Sequence, residues 1–170
     1  VVLITTKSGK TGKTQVTYDF QYTLQSLGKS AELMDAHQYL GYMSESGALT
    51  GVNYEGIDTD WIKESFETSP MQKHNISISG GSDKTTYFAS LSYLNQKGIV
   101  KGDYDSFKRY SGMFNGSHQI NKWLKVGSSI QLNWSSRKSF NENDEYRGVI
   151  ANAALLDPLT PVEYTGAIPT

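Results

Sequence analysis

Cysteine is absent from the 170 residues, which removes both a disulfide framework and a thiolate metal site. A long apolar run is missing too, since no stretch approaches the ~18 consecutive residues that mark a membrane-crossing helix. Charge of one sign is not in excess: the formal balance is -1 and Lys and Arg are scattered, so nothing argues electrostatically for nucleic acid. Hydrophobic residues make up only 37% of the chain, below the usual ~45–50%. The opening Val1-Val2-Leu3-Ile4 has neither an initiator Met nor a signal peptide, and it reads as cut from something longer.

The apolar mass that is present is aromatic: eleven Tyr, six Phe and three Trp. Such rings favour strands and suit surfaces that are apolar at one end and wet at the other. From Gln15 to Gln25 every even position is apolar or aromatic (Val16, Tyr18, Phe20, Tyr22, Leu24) and every odd one is polar. This period of two is a strand with two different faces. It also decides how to read GKTGKT, which ends like a phosphate loop at Gly12-Lys13-Thr14. Lys7 stands where the first glycine belongs, and a strand follows where a phosphate loop needs a helix, so the stretch reads as a hinge.

Four more strands are expected, at Asn75–Ser79, Thr86–Gln96, Arg109–Ile120 and Leu124–Ser135, with Phe88, Leu94 and Met113 breaking the alternation. Gly80-Gly81-Ser82-Asp83 supplies a tight turn, and Asn121 to Trp123 a second short link. The connections at Leu27–His74, Lys97–Lys108 and from Arg137 onward are long, so every second connection falls on the same rim. Short turns on one rim with long loops on the other are a habit of outer-membrane barrels, whose tilted strands need ~9–11 residues to cross hydrocarbon. The fold class is mainly β: an antiparallel meander of about five strands with one or two short helices in a long loop; a transmembrane β-barrel and a half-buried soluble sheet give the same alternation in any one strand, and the loop asymmetry favours the barrel. Those helices are expected at Ala31–Tyr42, capped by Ser30, and at Trp61–Phe66, capped by Thr59 or Asp60. The proline-rich tail ALLDPLTPVEYTGAIPT reads as an interrupted loop.

Candidate sites are weak. His37, His74 and His118 are far apart in sequence and lack metal-ligand spacing. Glu142, Asp144 and Glu145 have neither the spacing nor the glycine of a calcium loop. No G-x-S-x-G elbow activates a serine. No catalytic, cofactor or metal residue is assigned, and the chain is not read as an enzyme. Tyr54 and Trp61, near Asn53, Asp58 and Asp60, could stack on sugar rings; the plainer reading has Trp61 anchoring the short helix through Phe66. Substrate-contacting residues stay unassigned.

The residues quoted also carry a resemblance. VVLITTKSGKTGK resembles the segment that closes the plug domain of SusC/RagA-type TonB-dependent outer-membrane transporters. DWIKESFETSPMQKHNISISGGSDKTTYFASLSYLNQKGIV is similar to the family's most recognisable barrel run, with Asp60-Trp61, His74-Asn75, Ser79-Gly80-Gly81, Tyr87, Ser90, Tyr93 and Gly98-Ile99-Val100 on its pattern. RYSGMFNGSHQINKWLKVG and ALLDPLTPVEY continue it, while Gly112 and Gly116 depart from it by standing where bulky lipid-facing residues are usual.

The resemblance implies that residues 1–14 are the end of the plug domain and its hinge, and that 15–170 are the N-terminal part of an incomplete barrel. It further implies import of oligosaccharides, or less often peptides, across the outer membrane of a Bacteroidetes-type bacterium. A SusD-like surface lipoprotein would lid the mouth, TonB would act through a segment outside this chain, and lipid would surround the wall. An incomplete wall has open edges and an uncovered apolar face, so the isolated chain is expected to self-associate. The rival reading is a soluble carbohydrate-binding β-sandwich, which needs a second sheet over the apolar face. A hydrolase domain is disfavoured, because no paired carboxylates sit at strand ends.

Overall fold

The computed structural model describes residues 7–51, 54–140 and 148–163. The chain divides into two units, one of Val1–Gln25, Ser69–Gly98 and Asp105–Lys138, the other of Ser26–Thr68, Ile99–Tyr104 and Ser139–Thr170. No helix among the described residues is long and apolar enough to cross a membrane, which says nothing of crossing by strands.

The first unit is one sheet of five strands in sequence order: β1 (Gly12–Gln25), β2 (Ser69–Gly81), β3 (Thr85–Lys97), β4 (Ser106–Asn121) and β5 (Leu124–Lys138). Every neighbouring pair is antiparallel, so the expected meander is what forms. The strands are longer than their alternation suggested, at 13 to 16 residues. β2 begins at Ser69 rather than Asn75, and β4 at Ser106 rather than Arg109. The added ends carry no clean alternation, with Met71 and Phe107 set singly among polar residues, but ladder hydrogen bonds do not need it. The β3–β4 connection shrinks accordingly to residues 98–105, where Gly98 N–H donates to the Asp105 carbonyl at 3.0 Å.

The first turn also moves. Gly80 and Gly81 lie inside β2, and the reversal occurs at Ser82, whose N–H donates to the Thr85 carbonyl at 2.7 Å. Gly81 is there for close approach: a Cβ on it would lie 2.3 Å from the Thr85 oxygen. At the β4–β5 turn, the Asn121 Oδ1 accepts from the Trp123 and Leu124 amides at 3.1 and 2.9 Å, an Asx turn that closes a short link.

The second unit holds three helices: α1 (Ala36–Glu45), α2 (Trp61–Ser65) and α3 (Val149–Leu155). α1 starts five residues later than its apolar spacing predicted, and Ser30 is not its cap. Asp35 is: its carboxylate accepts from Gln38 N–H while the Gln38 side chain accepts from Asp35 N–H, and Ala36 N–H donates to Asp58 Oδ1 at 2.9 Å. α2 lies where expected and Asp60, not Thr59, caps it. α3 overturns part of the loop reading, since Ala154 and Leu155 of the tail are helical. The start of the expected plug strand (1–6), Asn53, the acidic trio Glu142, Asp144 and Glu145, and the final residues 164–170 lie outside the described residues.

Among the described residues no second sheet covers the first. Val16, Leu91, Leu132 and Trp134 remain 65, 66, 69 and 59% exposed, which is the reverse of a β-sandwich core.

Candidate membrane-facing surface and lumen wall

Strand register assembles side chains into rows across the sheet, and the rows give each face its chemistry. On one face, Val16, Ile78, Ala89, Phe114 and Ile130 are successive Cα partners; the next row is Tyr18, Ile76, Leu91, Gly112 and Leu132. The row after that consists entirely of rings: Phe20, His74, Tyr93, Tyr110 and Trp134. Adjacent centroids in it are 4.9, 6.2, 4.8 and 5.5 Å apart, within the 4.5–7 Å range of favourable aromatic contact. His74 belongs to this row through its ring, and its Nδ1 is hydrogen-bonded to the Tyr18 hydroxyl at 2.8 Å.

The row has a clear boundary. Beyond it come Tyr22, Gln72, Asn95, Lys108 and Ser136, four of them polar without qualification. In the other direction the apolar positions run from Tyr110 to Ile120 along β4 and from Trp134 back to Leu124 along β5. Ten residues at ~3.3 Å rise and ~40° tilt span about 25 Å, the height of the apolar band on an outer-membrane barrel. Val16, Phe20, Ile130 and Trp134 share this face.

The opposite face is polar and is partly covered. Thr17, Ser77, Ser90, Met113 and Gln131 form one row, and Asp19, Asn75, Ser92, Ser111 and Asn133 the next. Asn75 Nδ2 donates to Asp19 Oδ2 at 3.2 Å across it. The segment entering β1 lies over this face and encloses with it a space of about 980 Å³, lined by Lys7, Lys10, Lys13, Gln15, Phe88 and Met113 among others. Asn115 Nδ2 donates to the Lys7 carbonyl, and Thr11 Oγ1 to the Ser82 carbonyl. Gly9 sits directly on the β3 backbone, where a Cβ would lie 2.3 Å from the Tyr87 carbonyl oxygen. Phe88 and Met113, which break the alternation, both line this space, and Phe88 is only 7% exposed.

No family model matches the chain. Curated proteins do: the chain is 30% identical over 131 residues to TonB-dependent receptor P3 of Formosa agariphila, covering 76% of this chain and 13% of that protein. It is 26% identical over 164 residues to TonB-dependent receptor SusC of Bacteroides thetaiotaomicron, covering 95% of this chain and 16% of that protein. Among solved structures, the RagAB peptide importer in its closed-closed state matches with a TM-score of 0.68 and 28% identity over 80% of this chain and 19% of that one. The chain belongs with the SusC/RagA-type TonB-dependent receptors. It spans only 13 and 16% of the length of the two curated receptors named.

Within a SusC/RagA-type wall the remaining candidates find structural uses. His118 lies near the short-turn end of β4, with its Nδ1 at 2.7 Å from Thr85 Oγ1. His37 is exposed on α1 and meets the Tyr54 ring edge-on at 6.2 Å. His74 and His118 stand on different strands with separate partners, so the histidines are not gathered. The sugar-stacking group is largely committed elsewhere: Trp61 Nε1–H donates to the Asp157 carbonyl at 2.8 Å, Asp58 accepts from Ala36, and Asp60 caps α2. Phe66 forms a bridge with Val100. Thr59 N–H and Oγ1–H donate to the Pro158 and Thr160 carbonyls at 2.9 and 2.8 Å, which pins the start of the DWIKE motif to the LLDPLT motif. Sequence reading did not find the ring row, because its members come from five strands and only register makes them neighbours.

Proposed function

We propose that this chain is part of the wall and hinge of an outer-membrane TonB-dependent transporter that imports oligosaccharides, or peptides, with a SusD-like surface lipoprotein over its mouth. Residues 1–14 end the plug and form its joint to the barrel, and 15–170 begin the barrel. TonB acts on a segment elsewhere in the protein. The observation that carries this reading is one sheet whose two faces have opposite partners. Its apolar face is uncovered and ends at a row of rings, as a wall in lipid requires, while its polar face holds the incoming N-terminal segment. The wall residues scaffold and the segment connects; no bond-making step is assigned to either.

The test uses the full-length protein in its native host. It should fractionate with outer membranes, show heat-modifiable electrophoretic mobility, and co-purify with a surface lipoprotein, and its deletion should abolish growth on one glycan or peptide source. Recovery in the soluble fraction would refute the proposal.

A further inference from the structure

Beyond the ring row the same outward face becomes cationic on β3, β4 and β5, while β1 and β2 carry Tyr22, Leu24, Gln72 and Pro70 there. Two residues further along the strands from Tyr93, Tyr110 and Trp134 stand Asn95, Lys108 and Ser136, and two further stand Lys97, Ser106 and Lys138; each set consists of register partners. With strands ~4.8 Å apart and alternate residues ~6.7 Å apart, the Lys108 Cα is about 8 Å from those of Lys97 and Lys138. Lysine stems are long enough to bring all three ammonium groups to one anion. No Asp or Glu occupies any outward position of the five strands. Lys97 and Lys138 also have partners within the chain, which an incoming anion would share.

On the other side of the rings lies an apolar groove of about 520 Å³, lined by Tyr18, Ile76, Leu91, Gly112, Leu132 and Trp134 among others. Gly112 makes the groove, and local packing does not require a glycine there. A Cβ on it would meet only Leu91 Cδ2, at 3.5 Å, an ordinary contact. A methyl group would fit, so the notch is not forced by strand packing.

We propose that this strip binds a membrane lipid with a net anionic phosphorylated headgroup, its phosphate oxygens on Lys97, Lys108 and Lys138 and an acyl chain in the Gly112 notch. The inference rests on the reading that this face meets lipid. The order along the strands, cations then rings then apolar trough, is the order of a phospholipid from headgroup to chain. A second copy of the chain fits less well, because its outward face carries no acidic residue and would set lysines against lysines.

The experiment uses the full-length protein in neutral detergent, titrated with brominated-chain phosphatidylglycerol or phosphatidylcholine. The signal is the tryptophan quenching lost in a Trp134→Phe variant. The wild type should prefer the anionic lipid at least tenfold, Lys108→Gln should lower that preference about fivefold, and the triple Lys→Gln variant should abolish it. Gly112→Leu should weaken quenching by both lipids. Equal quenching by the two lipids, or a triple variant that keeps the preference, overturns the inference. A protein that is outer-membrane embedded and heat-modifiable yet lacks the preference refutes this site alone, whereas a soluble protein refutes the proposed function.

Discussion

Placing one arginine in turn at Ile130, Gln131 and Ser136 of β5 tests the assignment of faces directly. Ile130 lies four residues from Trp134 on the outward face, a descent of about 10 Å from the ring row at ~3.3 Å per residue and ~40° tilt. In a band about 25 Å tall this is close to the midplane, where a lipid-facing arginine costs about 2–4 kcal/mol. Ile130→Arg should therefore lower the folded-to-unfolded ratio roughly 30- to 900-fold. Gln131 is next in sequence but faces the polar side, so Gln131→Arg should change stability by no more than about 0.5 kcal/mol. Ser136 stands two residues beyond the rings, where the cost falls to about 0–1 kcal/mol. The assay is guanidinium unfolding of the full-length protein in phospholipid vesicles, followed by tryptophan fluorescence, with all three variants in the same lipid. Equal costs at Ile130 and Gln131 would refute the two-faced wall, whatever the family.

Three further outcomes are expected. The isolated 170-residue chain should self-associate in detergent-free buffer, because both sheet edges and the apolar face are open; a monodisperse monomer by light scattering would contradict this. Gly9→Ala should force the 7–11 segment off the β3 backbone at a cost of about 1–3 kcal/mol, read as faster hydrogen exchange at residues 7–11 than in wild type; unchanged protection would show that the contact at Tyr87 is slack. Trp61→Phe keeps a ring but leaves the Asp157 carbonyl without its indole donor, so it should destabilise the unit by about 1–3 kcal/mol in thermal unfolding, and a neutral result would return Trp61 to the pool of free ligand-stacking rings.

The strands were legible wherever one face is apolar, because alternation survives translation into register. They were not legible at their ends. Ser69 to His74 reads as a polar loop with a proline, yet it pairs with β1 from Gln25 to Phe20. Along β2 there, Pro70, Gln72 and His74 on the outward face alternate with Ser69, Met71 and Lys73 on the other, so period-two contrast vanishes while the ladder continues. α1 was misplaced for a different reason. Leu33 extends the apolar spacing of Ala36, Leu40 and Met43 backwards, but the reciprocal Asp35–Gln38 cap and the Asp58 acceptor satisfy amides that would otherwise be orphaned, and they fix the start at Ala36. α3 was hidden by the prolines that follow it. The uses open to a lone Trp could be stated from sequence, but not its acceptor, which is 96 residues away.

Departures from the alternation turn out to be as informative as the alternation itself. A wall between lipid and water needs apolar residues on one face only, so an apolar side chain on the wet face signals that protein replaces water there. Phe88 and Met113 are such departures, and both lie where the N-terminal segment crosses the sheet. Leu94, on the same face, has no such neighbour, and nothing in the structure explains it. The reverse departure, a missing side chain on the lipid face, marks where something must come closer than a flat wall allows. Gly112 and Gly116 each open a hollow, of about 520 and 360 Å³. At Gly116 an added Cβ would press on the Phe114 ring at 3.0 Å, so packing accounts for that glycine. At Gly112 it does not, and the proposed acyl chain, with three lysines beyond the rings above it, would give the hollow an occupant.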